Sequence, residues 1–107
     1  MAKFIFNFEQ LLNIKRKIEK QEQMNLGKAM QDLSASIQKL EVIKYHQKDA
    51  MEEFQSCLRT GAINQLEIKR LNEKIKFYHQ QVIEQQQMVK DNERLVEEVK
   101  ERVKIAL

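Results

Sequence analysis

Proline and tryptophan are missing from this chain, and glycine occurs only twice in 107 residues. A β-sandwich or barrel must turn every few residues, and its turns draw on Gly, Pro, Asn and Asp. A chain this poor in glycine and proline is not all-β. It also has no glycine-rich loop to cradle a phosphate, which argues against an α/β nucleotide fold. Cysteine occurs once, as Cys57, so no disulfide framework exists within one chain, and a reducing cytosol fits. Long apolar runs are absent: nothing approaches the ~20 residues of a membrane span. The opening MAKFIFNF is interrupted by Asn7 and falls short of the about 7–15 apolar residues of a signal peptide. Charge of one sign is lacking as well. Nineteen basic and 16 acidic residues leave a net charge of +3, too mild for a dedicated nucleic-acid binder. These absences predict a soluble, cytoplasmic protein.

What is present is the material of long exposed helices: 13 glutamines, 33% charged residues and only 7% aromatics. Such helices have much surface and little core, so a deep, dry active-site pocket is hard to build, and no enzyme is expected. The chain divides once, at Leu58–Asn64 (LRTGAIN). Gly61 can take the left-handed conformation that closes a helix. Asn64 can cap the next one, with Glu67 at the capping-box position and Ile63 and Ile68 as a hydrophobic staple. The same grammar at the front makes Asn7 a cap, with Gln10 in the box and Phe6 and Leu11 as the staple. Two helices are therefore predicted, near residues 8–59 and 65–107, joined by a turn at 60–64. So short a connection folds them back on each other as one helical hairpin.

The second helix carries an unbroken heptad seam: Ile68, Leu71, Ile75, Tyr78, Val82, Gln85, Val89, Asn92, Val96, Val99, Val103 and Ala106. In the first, Leu26, Ala29, Leu33, Ser36, Leu40, Ile43, Gln47, Ala50, Phe54 and Cys57 keep the same rhythm, with Met30, Ile37, Met51 and Leu58 widening the stripe. The fold class is thus all-α, a long antiparallel two-helix coiled coil. Layers should pair positions whose numbers add to about 125, such as Phe54 with Leu71 and Leu26 with Val99. Ile18 to Ala29 is an eleven-residue step, at which the seam should stutter. Phe4, Ile5, Phe6, Phe8, Leu11, Leu12 and Ile14 have no opposing residue under this register, and the final KIAL stops in mid-heptad. A natural chain that continues past Leu107 is the larger part of the expectation; the other is cover by another protein or another copy.

Chemistry is sparse. His46 and His79 would lie within about one turn of each other on neighbouring helices, but Cys57 is several turns away and a four-ligand zinc site is not assembled. Cys57 fits the seam and has no adjacent base, so packing outweighs a nucleophilic role. Glu52–Glu53 and Glu97–Glu98 do not share helix faces and offer no opposed carboxylates. No cofactor or metal is expected. Lys15, Arg16, Lys17 and Lys20 form the densest basic stretch, a solvated face on the plain reading and a docking patch for an acidic surface on the sharper one.

The opening FIFNFEQLLNIKRKIEKQE resembles the N-terminus of the FliJ family, small coiled-coil proteins of the bacterial flagellar type III export apparatus. Its aromatic-rich pattern is filled by Phe6, Phe8, Leu11, Leu12, Lys15, Arg16 and Glu19. The resemblance continues through Phe54–Leu58, the turn at Thr60 and Gly61, and the Ile75/Tyr78/Val82/Gln85 stretch. It implies a stalk similar to that of rotary ATPases. The end with both termini would enter the hexameric flagellar export ATPase through Leu11, Leu12, Lys15 and Arg16. The hairpin region would contact the export gate protein FlhA through Ile43, Gln47, Ala50, Phe54, Lys74, Tyr78, Gln81 and Gln85. Export chaperones are implied as further partners, and nucleic acid is not. The implied location is the cytoplasmic face of the cell membrane at the flagellar basal body, with membrane association only through partners. Two other readings stay open: a generic coiled-coil scaffold or dimerisation segment, and a polyanion or membrane-surface binder through Lys15–Lys20.

Overall fold

A computed structural model describes residues 2–61 and 64–106, with side chains from Asn7 onward. The chain is an antiparallel hairpin of two long helices, α1 (Ala2–Arg59, 58 residues) and α2 (Gln65–Ala106, 42 residues), with no strand among the described residues. Without proline, nothing in either interior removes a backbone donor or clashes with the preceding turn. The connection follows the expected chemistry. Gly61 has a φ of 67°, the left-handed conformation that a β-carbon would disfavour. Ahead of it, the Thr60 amide donates to the Ser56 carbonyl at 3.1 Å and the Thr60 hydroxyl to the Cys57 carbonyl at 3.0 Å, satisfying carbonyls that the helix end orphans. Asn64 caps α2: its Oδ1 accepts from the Leu66 amide at 3.0 Å, and its carbonyl from the Ile68 amide at 3.0 Å. The staple partner Ile63 lies outside the described residues.

The front of the chain differs from expectation. α1 already runs from Ala2, so Asn7 sits inside the helix and caps nothing. Ala, Lys, Phe and Ile in the preceding turn all tolerate helix, and a cap position exists only where the residues before it leave the helix.

The chain divides into two compact units. One joins Met1–Ser34 with Asp91–Leu107; the other is Ala35–Lys90. In each, the seam residues are the ones that burial selects. All ten predicted positions from Leu26 to Cys57 and all twelve from Ile68 to Ala106 are buried or half-buried, and most residues between them are exposed. In the first unit Ala29, Val96 and Val99 form the core, with Leu26, Leu33 and Val103 packed against it. In the second, Ala50, Leu71, Val82 and Val89 are buried beside two polar residues, Ser36 and Gln85. Contacts in both keep the expected register, with Glu22 meeting Arg102 and His46 meeting Tyr78, while the long Gln85 side chain, expected opposite Leu40, reaches one turn away to the Ser36 carbonyl.

One row of the α1 seam is built largely from small residues: Ala29, Ser36, Ala50 and Cys57, with Ile43 between them. Small side chains let those of α2 reach the α1 backbone. The Gln85 Nε2 does so, donating to the Ser36 carbonyl at 3.0 Å from a site only 5% exposed. That carbonyl has a second lone pair to offer besides its helical bond, so a polar seam residue is buried with a partner rather than without one.

At the eleven-residue step, burial does not begin at the apolar Ile18, which is 52% exposed. Glu19, Glu22, Asn25 and Leu26 are half-buried instead. Glu22 pairs with Arg102 at 3.8 Å, too long for a hydrogen bond, and the buried Glu22 Oε2 has no hydrogen-bond donor. Just beyond, Gly27 is exposed within the continuous α1, and a β-carbon there would meet nothing within 4 Å. Gly27→Ala is therefore expected to stabilise the hairpin by about 0.5–1 kcal/mol, through helix propensity alone. A higher urea midpoint with an unchanged slope is the result to look for, and an unchanged midpoint would mean that the backbone at Gly27 is not ordinary helix.

Candidate docking surfaces

In the unit holding the N-terminal stretch, α1 leaves apolar side chains open to solvent. Leu11 is 65% exposed; Phe8, Leu12 and Ile14 are exposed as well. Lys15, Arg16, Lys17 and Lys20 are exposed on the same stretch. At 3.6 residues per turn, Phe8, Leu11, Leu12 and Ile18 gather on one side with Lys15 among them, while Arg16, Lys17 and Lys20 fall toward the other. Of the four residues expected to dock on an ATPase, Leu11, Leu12 and Lys15 share one side and Arg16 turns toward the other; all four are accessible. Phe4, Ile5 and Phe6 have side chains outside the described residues. An apolar strip edged by cations suits a partner surface that is itself apolar and acidic.

The eight residues carried over as gate-binding all belong to the Ala35–Lys90 unit. They cluster, but mostly toward the opposite helix. Ala50 is 0% exposed and Gln85 is committed to Ser36. Ile43, Gln47, Phe54 and Tyr78 are half-buried seam residues. Lys74 and Gln81 flank the seam, half-buried, and the Lys74 Nζ donates to Glu53 at 3.4 Å. Glu53 is shared, because Arg70 reaches it at 3.4 Å while also holding Glu67. The hydrogen bond from Arg70 keeps the Glu67 carboxyl below its ordinary range, and the same bond raises the Arg70 guanidinium.

What this unit does present to solvent is aromatic. Tyr45 is 68% exposed and Phe77 is exposed as well, at the two ends of one array of rings. The ring of Tyr45 meets His46 edge-on at 6.1 Å, His46 stacks on Tyr78 at 5.6 Å, and Tyr78 meets Phe77 edge-on at 5.4 Å. Four rings from two helices form one continuous platform, and Lys48, Asp49 and Glu52 line a shallow hollow next to Tyr45. Tyr45 and Phe77 fall on no seam position, so the heptad pattern does not mark them. The available signal was the reverse one: large aromatics at solvent positions of a polar helix are out of place unless something covers them.

His46 is thus engaged with tyrosines. Among the described residues no group of three His, Cys, Asp or Glu gathers to hold a metal. Cys57 is free and half-buried on the seam. No helix among the described residues is long and apolar enough to cross a membrane. Compared with family models, with curated proteins and with solved structures, the chain finds no match.

Proposed function

We propose that this chain is a non-enzymatic coupling stalk of the flagellar type III export apparatus, joining a hexameric export ATPase to the export gate protein FlhA. The observation that carries the reading is the N-terminal pattern of Phe8, Leu11, Leu12, Lys15, Arg16 and Glu19. A second support is that the other unit offers a different feature, an array of four rings drawn from both helices. A coupling protein needs two such unlike surfaces, and a simple rod needs neither. The stalk would sit at the cytoplasmic face of the cell membrane, held by its partners, with export chaperones as further partners. ATP hydrolysis would belong to the ring, and this chain would bind and orient.

The test uses two classes of variant. Leu11→Asp with Leu12→Asp, or Lys15→Glu with Arg16→Glu, should abolish stimulation of the ATPase and leave helicity intact, because little burial is lost at these exposed positions. Tyr45→Ala with Phe77→Ala should spare the ATPase and weaken gate binding, since an aromatic anchor at an interface is worth about 2 kcal/mol or more. These are cleaner probes than Phe54→Ala, whose side chain is half-buried in the seam. If both classes affect both assays alike, the two-surface model fails; if neither affects either, a generic rod is the better account.

A further inference from the structure

Besides its seam, α1 carries a second apolar row. Within the Ala35–Lys90 unit, Ile37, Met51 and Leu58 recur at seven-residue spacing, with Lys44 at the one remaining position of the row. All four are exposed, and the three apolar ones are close to half open to solvent. They occupy the flank beside the seam, which a two-stranded coiled coil ordinarily fills with charge. The row is as regular as the core and is not used by it.

We infer that this flank is the contact between two copies of the chain, with α1 of one copy lying antiparallel to α1 of the other about a two-fold axis at Lys44. The argument is self-complementarity. A two-fold contact must match a surface to itself, residue i meeting j and j meeting i. Centred on Lys44, antiparallel packing brings Ile37 of one copy opposite Met51 of the other, and Met51 opposite Ile37. The neighbouring positions along the same face, Glu41 and Lys48, are both exposed. The same operation sets Glu41 of one copy against Lys48 of the other, twice. A parallel two-fold would carry these residues of the two copies to opposite flanks of the contact and form neither Glu41–Lys48 pair, so charge selects the antiparallel arrangement. Lys44 meets its own copy on the axis, where its long stem can pack on Ile37 and Met51 while the ammonium reaches water. So short a row buries less than the about 1,200–2,000 Å² of a stable interface, and the pair is weak and concentration-dependent.

The inference does not rest on the export reading, and its test involves neither ATPase nor gate. At sub-millimolar concentration, sedimentation should give a mass approaching twice 12.8 kDa, falling to the monomer on dilution. Ile37→Glu should give the monomer throughout, with helicity by circular dichroism unchanged. Glu41→Lys should weaken the pair, and Glu41→Lys combined with Lys48→Glu should restore it. In a Cys57→Ser background, Lys44→Cys should form an intermolecular disulfide on oxidation and Met51→Cys should not, since the antiparallel register sets residue 44 against itself but residue 51 against Ile37, whereas a parallel one would crosslink both. A monomer at all concentrations overturns the proposal. So does a dimer that ignores both charge variants, or one that leaves Lys44→Cys uncrosslinked.

Discussion

Leu71→Ala is expected to destabilise the hairpin by about 2–3 kcal/mol, toward the lower end of the range for leucine truncations in protein cores. Leu71 is the largest fully buried side chain described, 1% exposed. Its truncation removes the buried area of three carbons and leaves a gap where they packed. The estimate stays low because only two helices enclose the site, and a thin rod collapses around a void more easily than a globular core does. Urea unfolding of the parent and of Leu71→Ala measures the difference. A loss below about 0.5 kcal/mol would mean that Leu71 is not held between the helices and that the seam runs elsewhere.

Spacing in the sequence went far toward this result. Alternating steps of three and four residues mark a strip that a helix can bury against a neighbour, and the buried and half-buried positions from Leu26 to Cys57 and from Ile68 to Ala106 are that strip. Gly61 and Asn64 were legible for a related reason: a left-handed residue and a side-chain cap are local events, decided by residues a few positions apart. The misses have a different origin. Asn7 looks like a cap in its own neighbourhood, but whether it caps depends on residues 2–6 leaving the helix, and they do not. Glu22 is charged and so stands outside an apolar pattern, although its position in the register brings it to Arg102. The register sets Gln85 opposite Leu40, but the acceptor it finds is the Ser36 carbonyl, and backbone groups leave no mark in a residue pattern. The aromatic platform was invisible to a search for the seam, since Tyr45 and Phe77 are informative only through lying off it.

Val99→Asp should be the most damaging single change, costing about 3 kcal/mol or more at neutral pH by placing a charge between apolar surfaces without a prepared partner. Val99 is 2% exposed and packs with Ala29 and Val96 in the core of its unit. Arg102, one turn on, already faces Glu22 at the edge of this site. The sign of the pH dependence separates a charge effect from lost packing. Burial raises the folded-state pKa of the new carboxyl above its unfolded value of about 3.9, so the penalty is absent below that value and grows as pH rises through the interval between the two. Val99→Ala, which loses volume without gaining charge, should be destabilised by a similar amount at every pH. The damage should also be local. The Ala35–Lys90 unit contains the connection between α1 and α2 and has buried residues of its own, Ala50, Leu71, Val82 and Val89. Asp91–Leu107 is tied to α1 chiefly through Val96, Val99 and Val103. Hydrogen exchange on Val99→Asp should therefore show amides from Asp91 onward losing protection while those of Leu71 to Val89 keep theirs. Loss spread evenly over both units would mean that the hairpin opens as one cooperative body.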